Sequence, residues 1–469
     1  MKITLPLLVL ALLLPATLPA SLSALIPEEA SGKAPVTGRC RISNGRIALD
    51  ADLVEGRIRR LTVEDALTGR TRNVGPDPFS LILSEEGKPG VISGSSLEAK
   101  VKIVPIAADP GALRLADKTN GTRLVFEFAA KPGMPRCRWT VELREDAPFL
   151  RRTLDVFNDS VTPVMISGYE LFDFEADGAK REGTAKGVPV SVGGVFFCGV
   201  EHPSADNDVK EGRVTGVLKR RVPLGARRSF AVSDVFGVSE PGQLRRTFQS
   251  AYLNRERARP YALFVNYNTW YDLGHNTRYD EKAVLATVRD YGEELVRKRG
   301  VSVNSFLLDD GWDETATLWR FHAGFPDGFR NIAKLTAQYG AAPGVWFSPW
   351  GGYYAAKAAR IGAAKKADPK IETNAEGFAL SGPRYYKVFR DMCLRMIEEQ
   401  GVNQFKFDGT GGRRFRAAGK RIRQRFRRGS RADRRSAPGE AGHLRESYDG
   451  HLALSVLVRL RRFDLAGFE

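Results

Sequence analysis

The stretch Phe405-Lys406-Phe407-Asp408-Gly409 sets a lysine and an aspartate two positions apart at the close of a short apolar run. In a strand, residues two apart leave the same face, so Lys406 and Asp408 can meet one ligand. Earlier in the chain, Ser305-Phe306-Leu307-Leu308-Asp309-Asp310-Gly311-Trp312 ends a second such run in two carboxylates, a turn glycine and an indole. Acids beside an aromatic platform suit a sugar ring, which offers hydroxyls to acceptors and an apolar face to an indole.

The surroundings of these runs predict the architecture. From about Cys40 to Arg255 short β-type runs alternate with Gly, Pro, Asn and Asp turns, among them Arg123 to Ala129, Cys137 to Leu143, Leu150 to Phe157 and Val188 to Phe197. No convincing helix precedes about Gly242, so residues 25–255 read as an all-β sandwich. The pattern changes at Arg259-Pro260. Tyr261 to Asn268 reads as a buried strand, and Asp280 caps a helix with Val284, Leu285, Val288, Tyr291 and Leu295 on one face. Val301 to Leu308 is a second strand, followed by a helix capped by Asp327 that carries Phe329, Ile332, Leu335 and Tyr339 and stops at Gly340. Pro343 to Ser348 is a third strand, then a long Gly/Ala/Lys-rich loop. A helix from about Pro383 to Gln400 turns Tyr386, Phe389, Cys393, Met396 and Ile397 inward, and Asn403 to Phe407 is the fourth strand. Such alternation implies a parallel sheet with right-handed crossovers, and the natural candidate is a (β/α)8 TIM-type barrel. Residues 256–411 supply only its first four βα units, since a complete barrel takes roughly 250 residues. Active residues of such barrels cluster at the carboxyl ends of strands, where Asp272, Asp309, Asp310 and Asp408 all fall.

The two motifs, in this order, resemble the alpha-galactosidase (melibiase-like) glycoside hydrolases, families 27 and 36, in a divergent bacterial-type branch. The resemblance runs from the β-rich first domain to Asp408, and its specificity resides in Trp270 to Asp408. It implies a retaining glycosidase acting on terminal alpha-galactosides, with Asp408 as nucleophile in the K-x-D and Lys406 beside it keeping the carboxylate ionised. Asp309 and Asp310 would hold the galactose C4 and C6 hydroxyls, though Asp-Asp-Gly is also an ordinary turn. Trp312 and Trp346 would wall the pocket, with Trp346 equally readable as a core residue; Trp270 and Asp272 are first-strand candidates. Two departures stand out: Asp408 is followed by Gly-Thr-Gly, and no residue matches the acid/base Asp that the family carries after its sixth strand.

Composition bounds the rest. With 469 residues and 42% hydrophobic content the chain can bury several cores. Residues 1–24, with Lys2, an apolar run from Leu5 to Leu14 and small residues to Ala24, read as a secretory signal too short for a comfortable membrane span, so the mature chain is expected to be extracytoplasmic. Cys40, Cys137, Cys198 and Cys393 are widely spaced with no C-x-x-C; one pair could bridge, or all could be buried thiols. No further acid recurs at a spacing that suggests a metal, and no cofactor is indicated. Of the net charge of +17, residues 412–469 hold +10, with 15 Arg. Such a tail could contact phosphates, but it lacks an aromatic platform and conflicts with export, so carbohydrate and not nucleic acid is the expected partner. A reading-frame change near Gly411 or Gly412 explains it better. Codons chosen for His443 to Glu469 and read one nucleotide later can encode a tryptophan-rich string ending in Trp-Arg-Gly. On that view the enzyme is truncated and inactive. The alternative is a non-catalytic carbohydrate-binding or scaffold protein built on the sandwich. Oligomeric state is left open.

Overall fold

The computed structural model describes residues 22–25, 36–85, 88–129, 134–220, 223–274, 278–380, 382–408 and 445–446. Nearly all of the expected leader and of the Arg-rich tail lies outside the described residues. The chain divides into two compact units, Met1–Tyr261 and Ala262–Glu469.

The first unit is built of three sheets, and every strand pairing described in it is antiparallel. One sheet runs in chain order from Ser23–Leu25 to Arg70–Asn73. A second has eight strands with Phe149–Asn158 and Arg228–Val238 at its centre, and a third has five with Ile166–Glu175 at its centre. In Arg136–Arg144 the alternation buries Cys137, Trp139, Val141 and Leu143, because side chains of period two must share one face. These pack with Leu49 and Leu61 of the first sheet and Tyr169 and Phe172 of the third in one continuous core. The expected strand Val188 to Phe197 is instead a hairpin, Val190–Val192 and Phe196–Val200. Gly193 and Gly194 turn it with φ of +58° and +69°, the pair of left-handed residues that a tight hairpin needs and glycine supplies without strain.

The second unit carries the motifs. Its sheet is parallel and in chain order: β1 Asn266–Asn268, β2 Ser305–Leu308, β3 Ala342–Phe347 and β4 Gln404–Phe407, with Arg445–Glu446 set parallel outside β4. Around it lie α1 Glu281–Tyr291, α2 Arg330–Ala337, α3 Tyr354–Ala367 and α4 Pro383–Gln400. Phe306, Leu308, Val345, Phe347, Phe405 and Phe407 pack with helix residues such as Val288, Ile332, Phe389 and Met396. The alternate positions of the strands include Ser305, Gln404 and Lys406, so the opposite face is partly polar although buried.

Asp280 accepts from the Ala283 N–H and caps α1, as expected. Three other expectations need correction. β1 is shorter than Tyr261 to Asn268, and Tyr261 and Leu263 are exposed, because the ladder to β2 takes in only Asn266 to Asn268, with the Val265 carbonyl accepting just before it. Asp327 does not cap α2; Phe329 is the N-cap residue, and its N–H is satisfied by Gln400 Oε1 at 2.7 Å from the end of α4. The expected long loop after β3 contains the fourteen-residue α3. That helix escapes a periodicity search because only Arg360 and Ala364 are buried along it, and its many Ala and Lys residues sustain it by propensity.

Candidate functional site at the ends of the parallel strands

The register brings the strand ends level, with Asn268 opposite Leu307, Leu308 opposite Val345 and Trp346 opposite Lys406. Asp309 is the next residue after β2 and is almost fully buried. Its N–H donates to Thr269 Oγ1 at 2.8 Å and its carbonyl accepts from the Tyr279 hydroxyl at 2.6 Å. Its carboxylate accepts from Lys406 Nζ at 2.8 Å and from the Asp310 N–H at 2.9 Å. This buried ion pair is compensated on both sides, as desolvated charges require. Lys406 also stands 5.7 Å from the Trp270 ring centroid. The bond from Lys406 to Asp309 is one that the sequence, which set the lysine beside Asp408, did not indicate.

Asp310 turns the other way, to Arg360. The guanidinium is fully buried and donates to Asp313 at 2.7 and 2.8 Å, to Asp310 Oδ1 at 3.3 Å and to the Gly351 carbonyl at 3.0 Å. Its Cζ lies 4.5 Å from the Trp319 centroid and 5.7 Å from that of Trp346, so the cation is held by ring faces as well as by acids. Burial pushes the Asp310 carboxyl up to about 6; Arg360 draws it down, and Asp313 and Asp309 oppose that. The charge of Asp310 thus changes near pH 6, and its side chain keeps about a quarter of its surface open, 23%.

Asp408 follows β4 and extends the ladder through its N–H to the Phe347 carbonyl at 2.9 Å. Its Oδ2 accepts from Trp346 Nε1 at 3.1 Å, and the Tyr353 hydroxyl also bonds its carboxylate. Burial first and Asp408 second raise the phenol of Tyr353, keeping it protonated as a donor. Trp346 is therefore both core and site: its ring is buried, yet its N–H fixes the carboxylate. Trp312 is fully buried behind it, donating to the Trp346 carbonyl at 3.0 Å and packing on Phe321, Phe329 and Phe347. It supports the third strand and presents no surface as a wall. Asp272 is exposed and accepts from the Tyr267 hydroxyl at 2.7 Å.

The structure thus joins Asp309, Asp310, Lys406, Trp346 and Asp408, with Trp270 beside the lysine. Sequence reading missed Arg360, Asp313, Tyr279 and Tyr353. Asp313 was within reach as the third acid of Asp309-Asp310-Gly311-Trp312-Asp313. Arg360 was not, being one basic residue among several in an Ala-rich run.

Comparison of the whole structure with solved ones then decides the fold. An alpha-galactosidase from Lactobacillus brevis superposes with a TM-score of 0.54 at 11% identity, over 91% of this chain and 69% of that one. The galactosidase domain of the alpha-galactosidase-sucrose kinase AgaSK gives 0.54 at 11% identity over 82% of this chain, and the GH36 alpha-galactosidase AgaB from Geobacillus stearothermophilus gives 0.52 at 11% over 82%. The fold is of the glycoside hydrolase type. At this identity the likeness is one of fold alone, and the chain spans 66% and 65% of the latter two structures. No family model and no curated protein matches the sequence. No helix among the described residues is long and apolar enough to cross a membrane.

Proposed function

We propose that the second unit is the first half of a (β/α)8 barrel and that its strand ends form the sugar site of an exported retaining glycosidase of alpha-galactosidase type. The observation that carries this reading is the convergence of Asp309 and Asp310, after β2, with Asp408, after β4, at the carboxyl ends of one parallel sheet, each held by its own donors. Asp408, oriented by Trp346 and Tyr353, attacks the anomeric carbon and forms the covalent glycosyl-enzyme. Asp309 and Asp310 accept from sugar hydroxyls, Asp309 positioned by Lys406 and Asp310 by Arg360. The galactoside class is carried over from the fold neighbours, one of which, a variant of the GH36 alpha-galactosidase AgaA from Geobacillus stearothermophilus, was crystallised in complex with stachyose.

The retaining route needs a second carboxyl to protonate the leaving oxygen, and the resemblance finds no match for it in this chain. The chain as written therefore binds galactosides without hydrolysing them, in keeping with a frame change after Gly411. The test compares this chain with one whose frame is restored, with and without Asp408→Asn. Turnover of an activated alpha-galactoside should appear only in the restored chain and vanish with Asp408→Asn, while galactose binding persists. Turnover that survives Asp408→Asn refutes the nucleophile assignment, and binding that ignores Asp309→Asn and Asp310→Asn refutes the site.

A further inference from the structure

Five arginines among the described residues are buried: Arg114, Arg144, Arg152, Arg220 and Arg360. Four of them have a carboxylate in hydrogen-bond reach. Arg114 donates to Glu256 at 2.7 Å, Arg144 to Glu142 at 2.8 Å, Arg152 to Asp234 at 2.7 Å and Arg360 to Asp313 at 2.7 Å. Arg220, which follows the strand Arg213–Lys219 in the third sheet of the first unit, pairs with no acid among the described residues. It is 7% exposed, and its Nε and Nη1 are buried without a hydrogen-bond partner. The guanidinium lies over the Phe230 ring, with Cζ 4.3 Å from the centroid. A ring face attracts the charge but offers no lone pair to the N–H groups. A guanidinium keeps its charge in proteins, so a buried one needs a counter-charge that also accepts its hydrogens. We propose that Arg220 is the core of an oxyanion site on the first unit, which takes a phosphate or sulfate group on its Nε and Nη donors beside the Phe230 ring. The site rests on no part of the sugar-site reading.

Three observations support it. First, the four paired arginines show what burial demands in this chain, and Arg220 lacks it. Second, the surrounding sequence is basic. Lys219 to Arg228 holds five cations, and no acid occurs from Gly212 to Ser233. The acids that reach this end are engaged: Asp206, 3.6 Å from Lys219 Nζ, is also bonded by Lys186, and Asp159 accepts from Arg136 at 2.8 Å. An uncompensated positive field of this kind raises the local concentration of anions. Third, the backbone around the guanidinium is pinned. The Arg220 N–H donates to the Ser167 carbonyl at 2.7 Å, and Leu224 exchanges both backbone hydrogen bonds with Val164 at 2.8 and 2.9 Å. Asn158 Nδ2 donates to the Leu224 and Gly225 carbonyls at 3.0 Å each, and Phe230 is laddered to Val156. An arriving anion therefore has little to order. The planar fork of a guanidinium matches two oxygens of one oxyanion, and a divalent ion keeps charge for the neighbouring cations.

The test is isothermal titration of the full chain with inorganic phosphate and with inorganic sulfate, in chloride buffer at fixed ionic strength, beside Arg220→Met and Arg220→Lys. The unaltered chain should show a saturable site for both ions. Arg220→Met should remove it, and Arg220→Lys should weaken it about fivefold or more, because an ammonium lacks the planar fork. Heat from the Arg-rich tail is common to all three chains and cancels. In chloride buffer alone Arg220→Met should melt no lower than the unaltered chain, since it deletes an uncompensated buried charge, a result that a purely structural arginine would not give. Added phosphate should raise the melting temperature of the unaltered chain and not that of Arg220→Met. Phenyl phosphate bound as tightly as the free ion makes a phosphate ester the ligand, and binding about tenfold weaker or less makes it the free ion; either result sustains the site. Phosphate binding that Arg220→Met leaves unchanged, no saturable site in the unaltered chain, or an Arg220→Met chain that melts lower in chloride overturns it.

Discussion

Arg360→Met isolates the interaction on which the site most depends. The substitution keeps a long flexible stem in the groove but removes a guanidinium that is fully buried, pairs with the equally buried Asp313 and reaches Asp310. Breaking a buried pair by deleting one partner leaves a desolvated charge and costs about 3–5 kcal/mol. For a unit of this size each kcal/mol lowers the melting temperature by roughly 2–4 °C, so the second unit should melt about 6–20 °C lower. Tryptophan fluorescence reads that unit selectively, because five of the six tryptophans, Trp270, Trp312, Trp319, Trp346 and Trp350, lie in it. The double variant Arg360→Met with Asp313→Leu should recover much of the loss, since no orphaned carboxylate remains at that position. A fall worth less than about 1 kcal/mol, the scale of an exposed pair, or a double variant no better than the single one, would refute the account of Arg360 as the buried cation of the site.

Other consequences are simpler to check. Asp310 is raised in the folded chain from its ordinary 3.8 to about 6, so its favourable contribution is complete below pH 3.8 and is lost as pH rises through 6. Denaturant titrations should show that decline in the second unit and show it flattened in Asp310→Asn, while galactose binding through the carboxylate should rise over the same interval. Gly352→Ala should be destabilised by about 1–2 kcal/mol or more, because a Cβ there meets the Arg360 guanidinium and φ is +92°. An Arg360→Met background should lessen that penalty, and equal penalties in both backgrounds would exclude the clash. All four cysteines are buried and outside any disulfide, and burial pushes the Cys40 and Cys137 thiols up to about 12. A thiol reagent at pH 8 should modify them only on unfolding, as thiolate is the reacting species.

Much of the second unit is legible in the chain itself. β2 and β4 are short apolar runs ending in acids, β3 is one ending in Ser348-Pro349, and α1 and α4 carry apolar stripes of helical period, because a sheet covered by helices buries one defined face of each element. Asp309, Asp310 and Asp408 could be picked out for the same reason, since each terminates such a run. Val188 to Phe197 misled because its apolar residues are continuous through the turn, although Gly193-Gly194 carried the signal. α3 was hidden because a helix held by one internal ion pair shows no stripe.

What the sequence determined alone is the alternation of the parallel strands with α1, α2 and α4 and the carboxyl-end position of the acids, since both follow from local periodicity and from turn chemistry. Only the tertiary structure decided which charge meets which. It gave Lys406 to Asp309, the Trp346 N–H to Asp408 and Arg360 to Asp310 and Asp313, and it withdrew Trp312 into the core. Such pairings depend on strand register and on the path of α3 across the strand ends, where positions 47 to 97 residues apart come within hydrogen-bond reach. A sequence pattern records which way a residue points along its own element and contains nothing about the partner that element will bring to it.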